Sequence, residues 1–131
     1  MIGLDTNVLV RFLVQDDAAQ FERAQRLLKR EASRGELVFI SQLVLLESEW
    51  VLRSRYGLGK ADILGALAGL LDSREFLVED EATLERALFA WRDSAAEFAD
   101  CLIGARHLQL GCEGTATFDS RALKLVGFVG V

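Results

Sequence analysis

Four carboxylates, Asp5, Glu47, Asp100 and Asp119, stand where a soluble domain would be expected to place an apolar or helix-capping residue. Acids drawn from distant parts of one chain repel each other when gathered together. A divalent cation is the cheapest way to offset that repulsion. Donor sets made only of oxygen suit Mg2+ or Mn2+, ions that keep several waters and leave positions open for a phosphate.

Each acid also has a local explanation. Asp5 directly follows the apolar run Ile2–Leu4, and Asp119 follows Thr115–Phe118. Either could be an ordinary N-cap for the segment after it. Glu47 falls on a helix expected to begin near Ser41, with Leu43 and Val44 one turn before it and Trp50 and Val51 one turn after. That spacing puts Glu47 inside the apolar stripe and turns Glu49 elsewhere. A carboxylate so placed needs either a metal or an arginine such as Arg11 or Arg53. Asp100 shares a helical face with Ala96, Ile103 and Gly104, in the first turns of its helix. A capping or dipole role is the local alternative there. Of the acids nearby, Asp93 reads as solvated, and Glu97 stays open as a supporting residue.

Positioning these side chains requires strands alternating with helices. Short apolar runs at Ile2–Leu4, Leu37–Ile40, Phe76–Val78, Thr115–Phe118 and Gly127–Val129 are the strand candidates. Between them, amphipathic spacing predicts helices over Val8–Val14, Ala18–Ser33, Ser41 to about Tyr56, Lys60–Leu71, from Asp80 through Trp91, and Ala95–Leu110. Gly35, Gly57 and Gly111 serve as stops. Strands separated by helices pair in parallel, which gives an α/β chain with three α/β/α layers around a sheet of about five strands. Sites in such sheets form beyond the carboxyl ends of the strands, where Asp5 and Asp119 both fall.

The chain has 131 residues, enough for a single domain over residues 1–131. Apolar residues make up 51% of it and proline is absent, which argues against disorder and hints at an apolar face for a partner or a second copy. The net charge of −5 excludes a broad electrostatic grip on nucleic acid, though not an acidic cleft made phosphate-seeking by bound metal. No apolar run approaches a membrane span, the start lacks the pattern of a signal peptide, and Cys101 and Cys112 show no ligand spacing. A cytoplasmic protein is expected. His107, with no second histidine or cysteine at ligand spacing, is expected to pack or to lie at the surface. Trp50 and Trp91 read as core or dimer-face residues.

The ordered set of acids resembles the PIN-domain family, and within it the VapC-type toxins of bacterial toxin–antitoxin pairs. The residues that carry the likeness are Asp5-Thr6-Asn7 after the first strand and Glu47 within Leu45-Leu46-Glu47-Ser48-Glu49-Trp50-Val51-Leu52. They continue with Asp100 in Phe98-Ala99-Asp100-Cys101-Leu102-Ile103 and Asp119 in Thr117-Phe118-Asp119. The resemblance implies the PIN fold, metal-dependent cleavage of RNA, a small antitoxin partner and a homodimer. Asp5, Glu47 and Asp100 are then expected to bind one Mg2+ or Mn2+. Asp119 would complete its shell or help hold a second ion, and Thr6 and Asn7 would hold waters or the Asp5 carboxylate. Which of Glu97 and Asp119 matters more stays open, because the family varies there.

RNA would be held by positive side chains outside the acids, with Arg11, Arg53, Arg55 and Lys60 as candidates and solvated surface charge as their alternative. An antitoxin could inhibit by setting an arginine against the same carboxylates. Two rivals remain. One is a catalytically inactive PIN-fold module that binds RNA or protein. The other is a haloacid-dehalogenase-type phosphohydrolase, disfavoured because Asp5-Thr6-Asn7 lacks a second aspartate two positions on.

Overall fold

The computed structural model describes all residues, Met1–Val131, and the chain divides into two compact units, Met1–Glu79 and Asp80–Val131. The first unit runs β1 (Ile2–Gly3), α1 (Thr6–Val14), α2 (Ala18–Ser33), β2 (Val38–Ile40), α3 (Gln42–Ser54), α4 (Lys60–Asp72) and β3 (Phe76–Val78). Its strands are all parallel, in the order β1-β2-β3, with Ile2 opposite Val38 and Val38 opposite Phe76. Parallel neighbours need long crossovers, and the helices between these strands supply them. Side chains alternate across the sheet. Val38, Ile40, Phe76 and Val78 are accordingly buried, while Leu77 between the last two is exposed. Leu9, Leu45, Leu52, Ile63 and Leu67 are fully buried as well, and the Phe12 ring meets Phe21 and Phe76.

Local chemistry explains where these helices begin. Asp5, Asp17 and Ser41 each leave the helix in extended backbone and accept a hydrogen bond from the N–H three residues on. That is the N-cap arrangement, which satisfies donors with no partner inside the helix. Asp5 follows β1 and Ser41 follows β2, so both caps lie beyond the carboxyl ends of parallel strands. Glu79 follows β3, and its Oε1 accepts the Gln42 N–H at 3.0 Å.

The second unit holds α5 (Glu81–Arg92), α6 (Phe98–Gln109), β4 (Thr115–Thr117), a 3₁₀ turn at Ala122–Lys124 and β5 (Phe128–Gly130). Leu84, Ala87, Trp91, Phe98 and Leu102 are among the buried residues of its two helices, with the rings of Trp91 and Phe98 edge-on at 5.2 Å. β4 and β5 pair in parallel, Thr115 opposite Phe128. Five strands are present and all pairings are parallel, as the sequence implies. They are hydrogen-bonded as a sheet of three and a sheet of two, in place of the single sheet expected. No helix is long and apolar enough to cross a membrane.

Candidate active site

In the first unit, Asp5, Thr6, Asn7 and Glu47 line one cleft of roughly 370 Å³ together with Val44, Trp50, Val51 and Arg55. Asp5 is held there by its capping role: Oδ1 accepts the Val8 N–H at 3.0 Å, which fixes the carboxylate at the strand end. The local and the chemical explanations of Asp5 are therefore compatible, because the cap engages one oxygen of two. Thr6 is buried and Asn7 exposed.

Glu47 corrects an expectation. It is exposed, and Glu49 is the buried acid of α3, with only 3% of its surface accessible. Glu49 is neutralised by Arg53, whose Nε lies 2.9 Å from Oε2. The buried stripe of α3 runs through Leu45, Ser48, Glu49, Val51 and Leu52, turned from the face inferred from Leu43, Val44, Trp50 and Val51 so that only Val51 is shared. Leu43 and Trp50 are exposed beside Glu47. The ion pair thus belongs to Glu49, and Glu47 is left for the cleft.

In the second unit, Glu97, Asp100, Asp119 and Arg121 form an acidic cluster. Burial pushes the Asp100 carboxyl above its usual range, the charges of Asp119 and Glu97 add to that, and Arg121 opposes them. Asp119 behaves in the opposite way. The backbone N–H of Ala122, then that of Arg121, hold it below the usual range at Oδ1 distances of 2.9 and 2.8 Å. Arg121 also reaches Glu97 at 3.4 Å. Glu97 stands at the N-cap position of α6 without making a side-chain cap bond. His107 pairs its Nδ1 with Thr115 Oγ1 at 2.8 Å, a packing role as expected.

The four basic candidates fare differently. Arg11 is tied to Asp16 and Tyr56, and Arg53 to Glu49. Arg55 is exposed and lines the Asp5 cleft. Lys60 is half-buried at the first position of α4. Trp50 is half-exposed in the cleft, whereas Trp91 is core.

The donors fit a hard divalent cation chemically. In the first unit Asp5 and Glu47 offer only oxygen, and in the second the acids around Asp100 outnumber the one arginine facing them. No group of three or more histidine, cysteine or acidic side chains stands close enough to hold an ion by itself.

These features have a family. The chain belongs to the PIN domain family, whose profile matches residues 2–129, so the α/β fold with parallel strands is that of a PIN domain. A VapC ribonuclease of Aquifex aeolicus (strain VF5) is 25% identical over 122 residues, covering 93% of this chain and 90% of that protein. The crystal structure of Mycobacterium tuberculosis VapC20, described as a sarcin-ricin loop cleaving toxin, is 26% identical with a TM-score of 0.45. It covers 100% of this chain and 98% of that one.

Proposed function

We propose that this chain is an endoribonuclease, the toxin of a toxin–antitoxin pair, dependent on Mg2+ or Mn2+ and acting in the cytoplasm. The observation that carries the proposal is the cleft itself: a PIN domain with a VapC ribonuclease relative presents Asp5 and Glu47, from separate elements, on one polar cavity with Thr6, Asn7 and Arg55. Asp5, Glu47, Asp100 and Asp119 are the proposed ligands and catalytic carboxylates, with Thr6, Asn7 and Glu97 in support. A bound divalent ion supplies an activated water and neutralises charge on the phosphodiester.

The chain's own residues do the positioning. Asp5 is immobilised by its cap bond, so its carboxylate needs no reorganisation when substrate arrives. Arg55 meets the phosphate as a charge-assisted donor, and the Asn7 amide offers both a donor and an acceptor beside it. Partners in the proposal are an RNA, a second copy of the chain, and an antitoxin that inhibits by pairing an arginine with the cleft carboxylates.

Cleavage of a mixed RNA pool, with Mg2+, with Mn2+ and with chelator, tests this on the wild type and on Asp5→Asn. The expected result is end-mapped cuts only with metal and only in the wild type. Metal-dependent RNA binding without any cutting would instead favour a non-catalytic module.

A further inference from the structure

We infer that the cleft lined by Asn7, Arg11, Arg55 and Tyr56 is a subsite for one unpaired ribonucleotide beside the bond that is cut. The base rests on the Tyr56 ring and its phosphate on Arg55. The inference depends on the ribonuclease proposal above and deepens it by assigning two substrate contacts and one positioning residue.

This second cavity, about 280 Å³, lies wholly in the first unit and is lined also by Val10, Asp16 and Val51. It shares Asn7, Val51 and Arg55 with the cleft that holds Asp5 and Glu47, so the two are neighbours. Its cations are not equivalent. Arg11 Nη1 lies 3.0 and 2.8 Å from the two Asp16 oxygens and donates to the Tyr56 hydroxyl at 2.7 Å. With its charge matched by Asp16, Arg11 fixes the tyrosine and is poorly suited to phosphate. Arg55 shares both cavities and has no carboxylate partner among the ion pairs, so its guanidinium suits an anion that enters.

An aromatic side chain in a cleft next to an arginine is the arrangement that takes up bases of single-stranded nucleic acid. Stacking is sequence-tolerant, and the arginine tracks the backbone. A base still stacked in a duplex could not reach a ring inside a cavity, which selects unpaired RNA.

The test uses fluorescence anisotropy with an uncleavable 2′-O-methyl oligonucleotide pool of mixed sequence, alongside cleavage rates and Tm. Tyr56→Leu should weaken binding about tenfold, while Tyr56→Phe, which keeps the ring but loses the Arg11 bond, should weaken it only as much as Arg11→Lys does. Arg55→Gln should weaken binding and lower the slope of log affinity against log salt by about 0.7. Arg11→Lys should weaken binding in the wild-type background and add nothing to Tyr56→Leu, as expected for a residue acting through the ring. Should Tyr56→Leu fail to fold, exposed Arg55→Gln decides the matter by its salt slope. Wild-type affinity in both Tyr56→Leu and Arg55→Gln, with cleavage intact, overturns the subsite and leaves the ribonuclease standing. Variants that bind RNA normally but escape inhibition by a protein partner also overturn it, in favour of a protein-docking cleft. A wild type that neither binds nor cuts RNA overturns the ribonuclease proposal and the subsite with it.

Discussion

Asp5 has two duties at one position, and they can be separated by substitution. Asparagine caps a helix about as well as aspartate, whereas alanine gives up roughly 1 kcal/mol. Asp5→Asn is therefore expected to lower cleavage by about a hundredfold or more with little change in stability, while Asp5→Ala loses both. Rate assays paired with urea unfolding check this; full activity in Asp5→Asn would sink the assignment. Asp100 offers a pH test. Its carboxyl is held high by burial and by Asp119 and Glu97. A carboxyl whose pKa is higher folded than unfolded holds its proton more tightly in the fold, so ionising it opposes folding. That penalty is absent below the unfolded carboxylate pKa of about 3.9. It grows as pH rises from there through the elevated folded value. In chelator, Asp100→Asn should raise Tm at pH 7 by up to a few degrees and leave it unchanged near pH 3. A lower Tm at pH 7 would contradict the origin given for the shift.

Among the elements, the β4–β5 pair is the most sensitive to a single atom. A Cβ on Gly114 would lie 2.7 Å from the Gly127 carbonyl oxygen, which accepts the Thr115 N–H at 2.8 Å. Backbone cannot swing aside as a side chain can. Gly114→Ala should cost about 1–3 kcal/mol in urea unfolding, more than an alanine placed elsewhere in a loop. Much of this element scale was legible in the sequence because its signals are local. Ala18–Ser33 and Phe76–Val78 fall where the periodicity puts them, and Asp5, Ser41 and Asp80 cap the helices they precede. The face of α3 was not legible. Leu43, Val44, Leu45, Leu46, Trp50, Val51 and Leu52 surround that helix with apolar side chains, so spacing alone could not choose between Glu47 and Glu49. The grouping of the parallel strands into sheets was not legible either. Whether β4 and β5 join the other three depends on hydrogen bonds between segments remote in sequence, and no local pattern encodes them. The 3₁₀ turn after Asp119 was masked for a related reason, since Ser120-Arg121-Ala122 reads equally well as the start of a longer helix.

For the molecule as a whole, apolar side chains remain in contact with solvent. Phe118 is 88% exposed, Val126 94% and Leu43 79%, in a chain whose mean hydropathy is +0.23. The proposed second copy and antitoxin would cover side chains of this kind. The chain is expected to sediment as a dimer, or as a larger complex with its antitoxin when the two are co-expressed. A monomer at micromolar concentration that captures no antitoxin would count against both partners.

The central proposal is that Asp5, Glu47, Asp100 and Asp119 take part in binding divalent metal. Titration with Mn2+, followed by its electron paramagnetic resonance signal, measures this without relying on activity. The wild type should bind Mn2+. Asp5→Asn, Glu47→Gln and Asp100→Asn should each weaken that binding about tenfold or more, with Asp119→Asn weakening it to a similar or smaller extent. Mn2+ affinity untouched by Asp100→Asn, or by Asp5→Asn and Glu47→Gln together, would contradict it.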